Sequence, residues 1–150
     1  MLAGPCIGAD MRVYTHVMAR ECYCAVLRTV ARKVTAIYDA ALEPSGINLA
    51  QYSLLRTIQR RAPLSLTELG RLTELDRSTI GRNVRLLQRL GLVRVEPGAE
   101  DQREAVVTLD QAGADALQLA GPLWDEAQRR VESALGTDPA RQLRTLLQTF

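Results

Sequence analysis

The sequence is poor in the residue types that catalysis and metal binding use most often. Its 150 residues contain one histidine, three cysteines, four tyrosines, one tryptophan and one phenylalanine. His16 is the only histidine, so the sequence offers almost no residues for a histidine metal site or for a Ser-His or Cys-His catalytic pair. The chain also lacks a Cys-x-x-Cys motif, a glycine-rich phosphate loop and a constellation of paired carboxylates. We therefore expect no enzymatic activity, no metal and no cofactor.

Long apolar runs are absent as well. No segment approaches the roughly 20 apolar residues that cross a bilayer, and residues 1–10 do not have the charged and apolar regions of a secretory signal. We therefore expect a cytoplasmic protein without membrane association. The composition is 47% hydrophobic and 24% charged, with a net charge of +2. These values are typical of a folded domain, and we expect a single one over residues 1–150.

Apolar spacing and helix-capping residues predict a mainly helical α+β chain with the element order α-α-α-α-β-β-α-α. Asn48 with Gln51, and later Asp76, have the spacing of helix N-caps, and Gly91 stands where a helix would end in a left-handed turn. Helices are expected at about residues 20–42, 48–61, 65–72, 76–90, 110–135 and 138–150, and strands at 93–97 and 104–109. Residues 1–19 are expected to form a loose leader and the start of the first helix.

Rows of apolar residues predict which face each helix buries. In the first helix the row is Leu27, Val30, Val34, Ile37 and Ala41, which Cys24 continues, and in the fourth helix the buried side is expected to be Ile80, Val84, Leu87 and Leu90. In the fifth helix Ala116, Leu119, Leu123, Ala127, Val131 and Leu135 lie on one side. A domain of this size cannot fully cover the apolar rows of its terminal helices alone, which favours a dimer.

Residues 76–90, DRSTIGRNVRLLQRL, carry four arginines against one aspartate. A short helix and a tight turn precede this segment, and a predicted hairpin with a loop at 98–103 follows it. This is the order of a winged helix-turn-helix. Guanidinium, hydroxyl and amide groups contact DNA phosphates and base edges. The side chains with those groups off the apolar row are Arg77, Ser78, Thr79, Arg82, Asn83 and Arg85. The alternatives are a solvated helix face and a winged-helix module that binds only other proteins.

The chemistry of these side chains suggests a division of roles on double-stranded DNA. We expect Arg77, Ser78 and Thr79 to anchor a phosphate at the helix N-terminus, where free N–H groups point outward. One turn further on, Arg82, Asn83 and Arg85 are expected to contact bases, since arginine recognises guanine and asparagine recognises adenine. In the hairpin, Arg94 and Arg103 are the candidate contacts, and Asp101 is expected to hold an arginine in position.

Residues 64–109 resemble the MarR family of bacterial regulators, notably in LTELGRLTELDRSTIGRNVRLLQRLGLVRVEPGAEDQREAVVTL, with its GLV turn and its D-x-R loop (Asp101, Arg103). The resemblance extends over about residues 20–150. It implies a DNA-binding lobe at 48–109 and dimerisation helices at 20–42 and 110–150. It also implies a homodimeric repressor that binds a pseudopalindromic operator and is released by a small molecule or an oxidant.

Two effector hypotheses remain open at this stage. Cys24, with Tyr38 fourteen residues on and then Gln51-Tyr52, resembles the organic-hydroperoxide-sensing branch of the family, although Arg28 and Leu49 stand where that branch has two partner tyrosines. Cys24 is then an oxidation sensor with Arg28 one turn away, or simply a small core residue. The alternative effector is an aromatic small molecule in a pocket lined by Tyr38, Tyr52, Trp124 and Arg28, unless these aromatic residues only fill the core.

Overall fold

The computed structural model describes residues 22–98 and 104–148. The chain divides into two compact units, Met1–Val34 and Thr35–Phe150. The elements are α1 (Tyr23–Leu42), a 3-10 turn (Glu43–Ser45), α2 (Leu49–Arg61), β1 (Leu64–Ser65), α3 (Leu66–Thr73), α4 (Arg77–Arg89), β2 (Val93–Pro97), β3 (Ala105–Leu109), α5 (Gln111–Leu135) and α6 (Thr137–Leu147). The mainly helical α+β class and the order of the predicted elements are confirmed; β1 is an addition.

The three strands form one antiparallel sheet in the order β1-β3-β2. Val93 pairs with Leu109 and Val95 with Val107, which gives β2 and β3 the predicted hairpin. On the other side of β3, Leu64 pairs with the same Val107. The short β1 therefore ties the start of α3 to the hairpin.

The core of the second unit lies between α2, α3, α4 and the sheet. Its fully buried side chains include Leu55, Ile58, Leu69, Ile80 and Val107. Removing such side chains from water contributes about 2 kcal/mol each, so this cluster holds the helix-turn-helix together.

Helix α4 begins and ends as its sequence predicts. The Asp76 carboxylate accepts a hydrogen bond from the Thr79 N–H at the N-terminus. At the C-terminus, Gly91 has a φ of 70°. The N–H groups of Gly91 and Leu92 donate to the carbonyls of Gln88 and Leu87, which is the Schellman pattern. Glycine suits this position because other residues rarely adopt a positive φ.

Two predicted details of the helices are wrong, and they concern Leu90 and Asp138. Leu90 is 51% exposed because α4 ends at Arg89 and the chain turns away there. In the apolar row of α5, Ala116 and Ala127 are buried whereas Leu119 and Leu135 are exposed, so the chain covers that row only in part. Helix α6 begins at Thr137, after Gly136 at a positive φ, so Asp138 lies in its first turn and pairs with Arg141 instead of capping.

Within the first unit, Leu27 and Val30 of α1 are exposed, which contradicts their expected place in a core. The residues that α1 buries are Tyr38 and Leu42, both in the second unit. In residues 22–98 and 104–148, no helix has both the length and the apolar character that spanning a membrane requires.

Candidate nucleic-acid interface

The candidate interface is the face of α4 opposite its buried row. Ile80, Val84 and Leu87 are at most 2% exposed, so one side of the helix is fixed against the core. On the opposite side Arg77, Ser78, Arg82, Arg85 and Arg89 are exposed, and Thr79 and Asn83 are half-buried. All six predicted α4 contacts therefore lie outside the buried row and are at least partly accessible.

The four arginines of α4 have no acidic partner among the residues that the structure describes. Arginines in other elements do form ion pairs: Arg71 with Glu68, Arg94 with Asp110, Arg129 with Glu126, Arg141 with Asp138 and Arg144 with Glu132. Arg82 donates to the Thr79 hydroxyl at 3.5 Å, a long bond that uses one of its five N–H groups. The α4 guanidinium groups therefore keep most of their donors for an external acceptor.

Ser78 and Thr79 have internal hydrogen bonds that the sequence did not predict. The Ser78 hydroxyl donates to Asp76 Oδ1 at 2.5 Å, and the Thr79 hydroxyl donates to Asp76 Oδ2 at 2.7 Å. These bonds, led by the one from Ser78, hold the pKa of Asp76 well below its usual range. The Asp76 carboxylate occupies the place where a phosphate would meet the helix N-terminus. The hydroxyls of Ser78 and Thr79 are therefore bonded to the N-cap residue of α4.

Two concave surfaces flank the exposed ridge of α4, and Arg85 borders both. The first, which we call the α4–hairpin groove, lies between α3, α4 and the start of β3; it is lined by Leu66, Thr67, Arg77, Ser78, Gly81, Arg85, Glu104 and Ala105. The second is lined by Thr79, Arg82, Asn83, Arg85, Leu86 and Arg89. Arg82 and Asn83 thus share a surface, as a pair of base contacts requires.

The hairpin contributes less than its sequence suggested. Arg94 donates to Asp110 at 3.2 Å, at the end of the hairpin nearest to α5. It pairs across the strands with Thr108, far from the loop between β2 and β3. Asp101 and Arg103 lie outside the described residues, so their predicted roles remain predictions.

The aromatic side chains proposed for an effector pocket pack on each other. The Tyr38 and Tyr52 rings each lie 6.0 Å from the Trp124 ring, measured between centroids. Tyr38 and Tyr52 are both less than 10% exposed. Arg56 donates to the Tyr52 hydroxyl at 2.8 Å, and the Tyr38 hydroxyl donates to Gln128. Both hydroxyls are therefore satisfied without a ligand.

A polar relay that sequence reasoning missed continues from Tyr38. Gln128 donates to Glu132 at 2.7 Å, and Arg144 of α6 pairs with the same Glu132. Burial raises the pKa of Tyr38, Glu132 raises it further, and Arg144 opposes them. The relay connects Tyr38 in the second half of α1 with residues of α5 and α6 that lie 90 or more positions further along the chain. No short sequence motif predicts such a connection.

The candidate thiol lies in the first unit. Cys24 and Cys22 are free and exposed on and just before α1, and Arg28 is exposed one turn further on. The interpretation of Cys24 as a core residue is therefore wrong within this chain, since α1 does not bury the row to which it belongs.

Comparison with known proteins agrees with this geometry. A sequence model described as "MarR family" matches residues 45–104. The solved structure of the transcriptional regulator MosR from M. tuberculosis is 34% identical, covers 86% of this chain and 95% of its own, and superposes with a TM-score of 0.72. The chain belongs to the MarR family. A structure of MosR in complex with DNA is 37% identical over 86% of this chain and 96% of its own, with a TM-score of 0.75.

Another relative is the organic hydroperoxide resistance transcriptional regulator of Bacillus subtilis. It is 24% identical over 141 residues, which cover 91% of this chain and 95% of the relative. The chain is accordingly a MarR-family transcriptional regulator with a winged-helix fold.

Proposed function

We propose that this chain is a homodimeric repressor that binds a pseudopalindromic site on double-stranded DNA. Helix α4 enters the major groove, and the hairpin reaches the adjacent minor groove. The observation that carries the proposal is the row of exposed arginines on α4 without an acidic partner in residues 22–98 and 104–148. MosR, which is similar over most of the chain, has been solved bound to DNA.

Arg82 and Asn83 are assigned to base contacts because they line the same concave surface, whose lining residues all belong to α4. Arginine donates two parallel hydrogen bonds to guanine O6 and N7. Asparagine donates from its amide NH2 to adenine N7 and accepts at Oδ1 from the adenine N6 amino group. Arg77 and Arg85 border the α4–hairpin groove and are placed near phosphates, and Arg85 also reaches the base-contacting surface. Ser78 and Thr79 shape the start of the helix through Asp76.

The base contacts are tested with three substitutions measured against a duplex that the wild-type protein selects from a random library. We expect Arg82→Ala to reduce the preference for the selected duplex over random DNA by roughly tenfold or more, the loss of one good base contact. Arg103→Ala is expected to weaken binding to both duplexes alike. Arg129→Ala removes the same charge from α5 and serves as the matched control. Equal, sequence-blind losses in Arg82→Ala and Arg103→Ala contradict the assigned roles.

Dimerisation is proposed from the exposed apolar side chains of the helices outside the DNA-binding lobe. In the first unit Tyr23, Val26 and Leu27 are 43–84% exposed; in the second, Leu119 is 62% exposed. Apolar patches of this kind mark surfaces that a second protein covers. A second copy also supplies a second α4, which reads a half-site one helical turn away, about 34–36 Å along the duplex.

The dimer is tested by sedimentation equilibrium. Wild-type protein is expected to sediment as a dimer, and Leu119→Glu should shift it toward single chains without loss of helical circular dichroism, because the charge lies on an exposed position. Gln118→Glu places the same charge on the neighbouring exposed residue of α5 as a control. A wild-type protein that stays a single chain at micromolar concentration refutes the dimer.

For release from DNA we propose oxidation of Cys24 by an organic hydroperoxide. The thiol attacks the peroxide to give a sulfenic acid and an alcohol, so sulfur loses two electrons and the O–O bond takes them up. The cation of Arg28 one turn from Cys24 and the B. subtilis relative named for hydroperoxide resistance support this choice. An aromatic effector has less support because the Tyr38 and Tyr52 hydroxyls are already bonded internally.

Release is tested by adding cumene hydroperoxide to the protein–DNA complex. Wild type should release the duplex, Cys24→Ser should bind normally and ignore the peroxide, and Cys22→Ser should behave as wild type. If Cys24→Ser is released as readily as wild type, Cys24 is not the sensor.

A further inference from the structure

Gly81 occupies an unusual place in the middle of α4. It lies four residues from Arg77 and four from Arg85, and residues with this spacing stand in a row along one face of a helix. All three residues line the α4–hairpin groove. Gly81 is therefore a gap in the groove wall between two exposed guanidinium groups.

Nothing in the described fold requires glycine at this position. Gly81 is helical with an ordinary negative φ, and a Cβ added there would meet only Arg85 Nη2 at 3.6 Å, an ordinary contact. By contrast, a Cβ at Gly113 would lie 2.1 Å from the Leu92 carbonyl oxygen. Glycine is also the least favourable residue in a helix interior after proline. Its presence here therefore weakens α4 without an internal gain.

The geometry of winged-helix binding points to an external reason. When a recognition helix lies in the major groove and the hairpin reaches the neighbouring minor groove, the sugar-phosphate backbone that separates the two grooves passes between helix and hairpin. The α4–hairpin groove lies where that strand would pass, since its walls come from α4 and from Glu104 and Ala105 at the start of β3.

We propose that Gly81 is the point of closest approach between α4 and DNA, where a backbone phosphate lies between Arg77 and Arg85. Absence of a side chain lets the strand reach the helix surface, as glycine does wherever a backbone approaches a ligand closely. The two guanidinium groups then contact the phosphate from either side. This inference rests on the proposed DNA-binding function and assigns a residue that sets how deeply α4 is seated.

The test compares stability with DNA affinity, because substitutions at Gly81 should raise the first and lower the second. Gly81→Ala and Gly81→Leu place better helix formers at an open position, so the melting temperature is expected to rise by roughly 2–4 °C. Affinity for the selected duplex is expected to fall by about tenfold for alanine, as for one methyl group forced into a packed interface, and further for leucine. Gln88→Ala raises helix propensity at an exposed α4 position outside both concave surfaces and should leave affinity unchanged.

The outcomes separate this inference from the function on which it rests. Higher stability with weaker binding, graded by side-chain size, supports it. If Gly81→Ala binds as tightly as wild type, or if stability falls together with affinity, the inference is wrong while DNA binding stands. If wild type and Gln88→Ala show no salt-sensitive binding to any selected duplex, the proposed function itself fails and takes this inference with it.

Discussion

Replacing Gly113 with alanine should destabilise the protein, because α5 begins directly against the turn that ends α4. A Cβ at Gly113 would lie 2.1 Å from the carbonyl oxygen of Leu92 and 2.9 Å from Leu109 Cδ1. The first contact is with backbone, which cannot rotate away. Relief therefore requires α5 and the turn to separate by about 1 Å in an interior packed as densely as a crystal.

The expected magnitude follows from three effects. Overpacking of this kind costs roughly 1–3 kcal/mol. The same Leu92 carbonyl accepts a hydrogen bond from the Asp110 N–H at 3.1 Å, and losing it costs about 1 kcal/mol. Alanine regains about 1 kcal/mol through its helix propensity. We expect a net loss of about 2 kcal/mol in the free energy of unfolding, which lowers the melting temperature by about 4–8 °C.

Thermal and urea unfolding monitored by circular dichroism measure this loss at fixed protein concentration. Gly81→Ala is the matched control, since the same substitution in a helix with open space should move stability the other way. A Gly113→Ala protein as stable as wild type would falsify the close packing of α5 against the end of α4.

Three further predictions follow from the interface. Asp76 has a lowered pKa in the folded chain, so its contribution to stability is present above the unfolded pKa and is lost as the pH falls below about 4. Asp76→Asn can still cap α4, and its free energy of unfolding, measured by urea titration, should fall less steeply with decreasing pH than that of wild type. An equally steep fall in both proteins counts against the cap. Glu104→Gln removes a carboxylate from the α4–hairpin groove. Affinity for selected and random duplexes alike should rise by roughly two- to fivefold, as measured by fluorescence-anisotropy titration. Unchanged affinity means that DNA does not pass through this groove. Arg94→Ala breaks an exposed pair with Asp110, so the free energy of unfolding should change by only about 0–1 kcal/mol. The preference for the selected duplex over random DNA should stay intact. If that preference falls as much as it does in Arg82→Ala, the assigned roles of Arg94 and Arg82 are wrong.

The parts of the fold that were predictable from sequence are those determined by near neighbours. The cap at Asp76, the buried row of α4 and the Schellman turn at Gly91 each depend on residues within about five positions, so sequence spacing is enough to identify them. The β2–β3 hairpin was found for the same reason. The strand β1 was missed because its two residues, Leu64 and Ser65, gain their partners Val107 and Val106 only through tertiary pairing.

The candidate site shows the same limit. Sequence alone identified the exposed arginines of α4, since charge and helical period are both local properties. It could not show that Asp76 binds the hydroxyls of Ser78 and Thr79, or that strand pairing brings Arg94 beside Asp110. The apolar row of α5 was visible in the sequence, but its spacing could not show which members the chain itself buries and that Leu119 is left exposed.

The most direct test of the account is a competition titration. Labelled selected duplex, unlabelled random duplex and wild-type protein are mixed over a range of salt concentrations. We predict two chains per duplex, a preference for the selected sequence of at least about 10³-fold, and an affinity that falls steeply as salt rises. Equal affinity for random DNA, binding that ignores salt, or a single chain on each duplex would contradict the placement of paired α4 helices in the major groove.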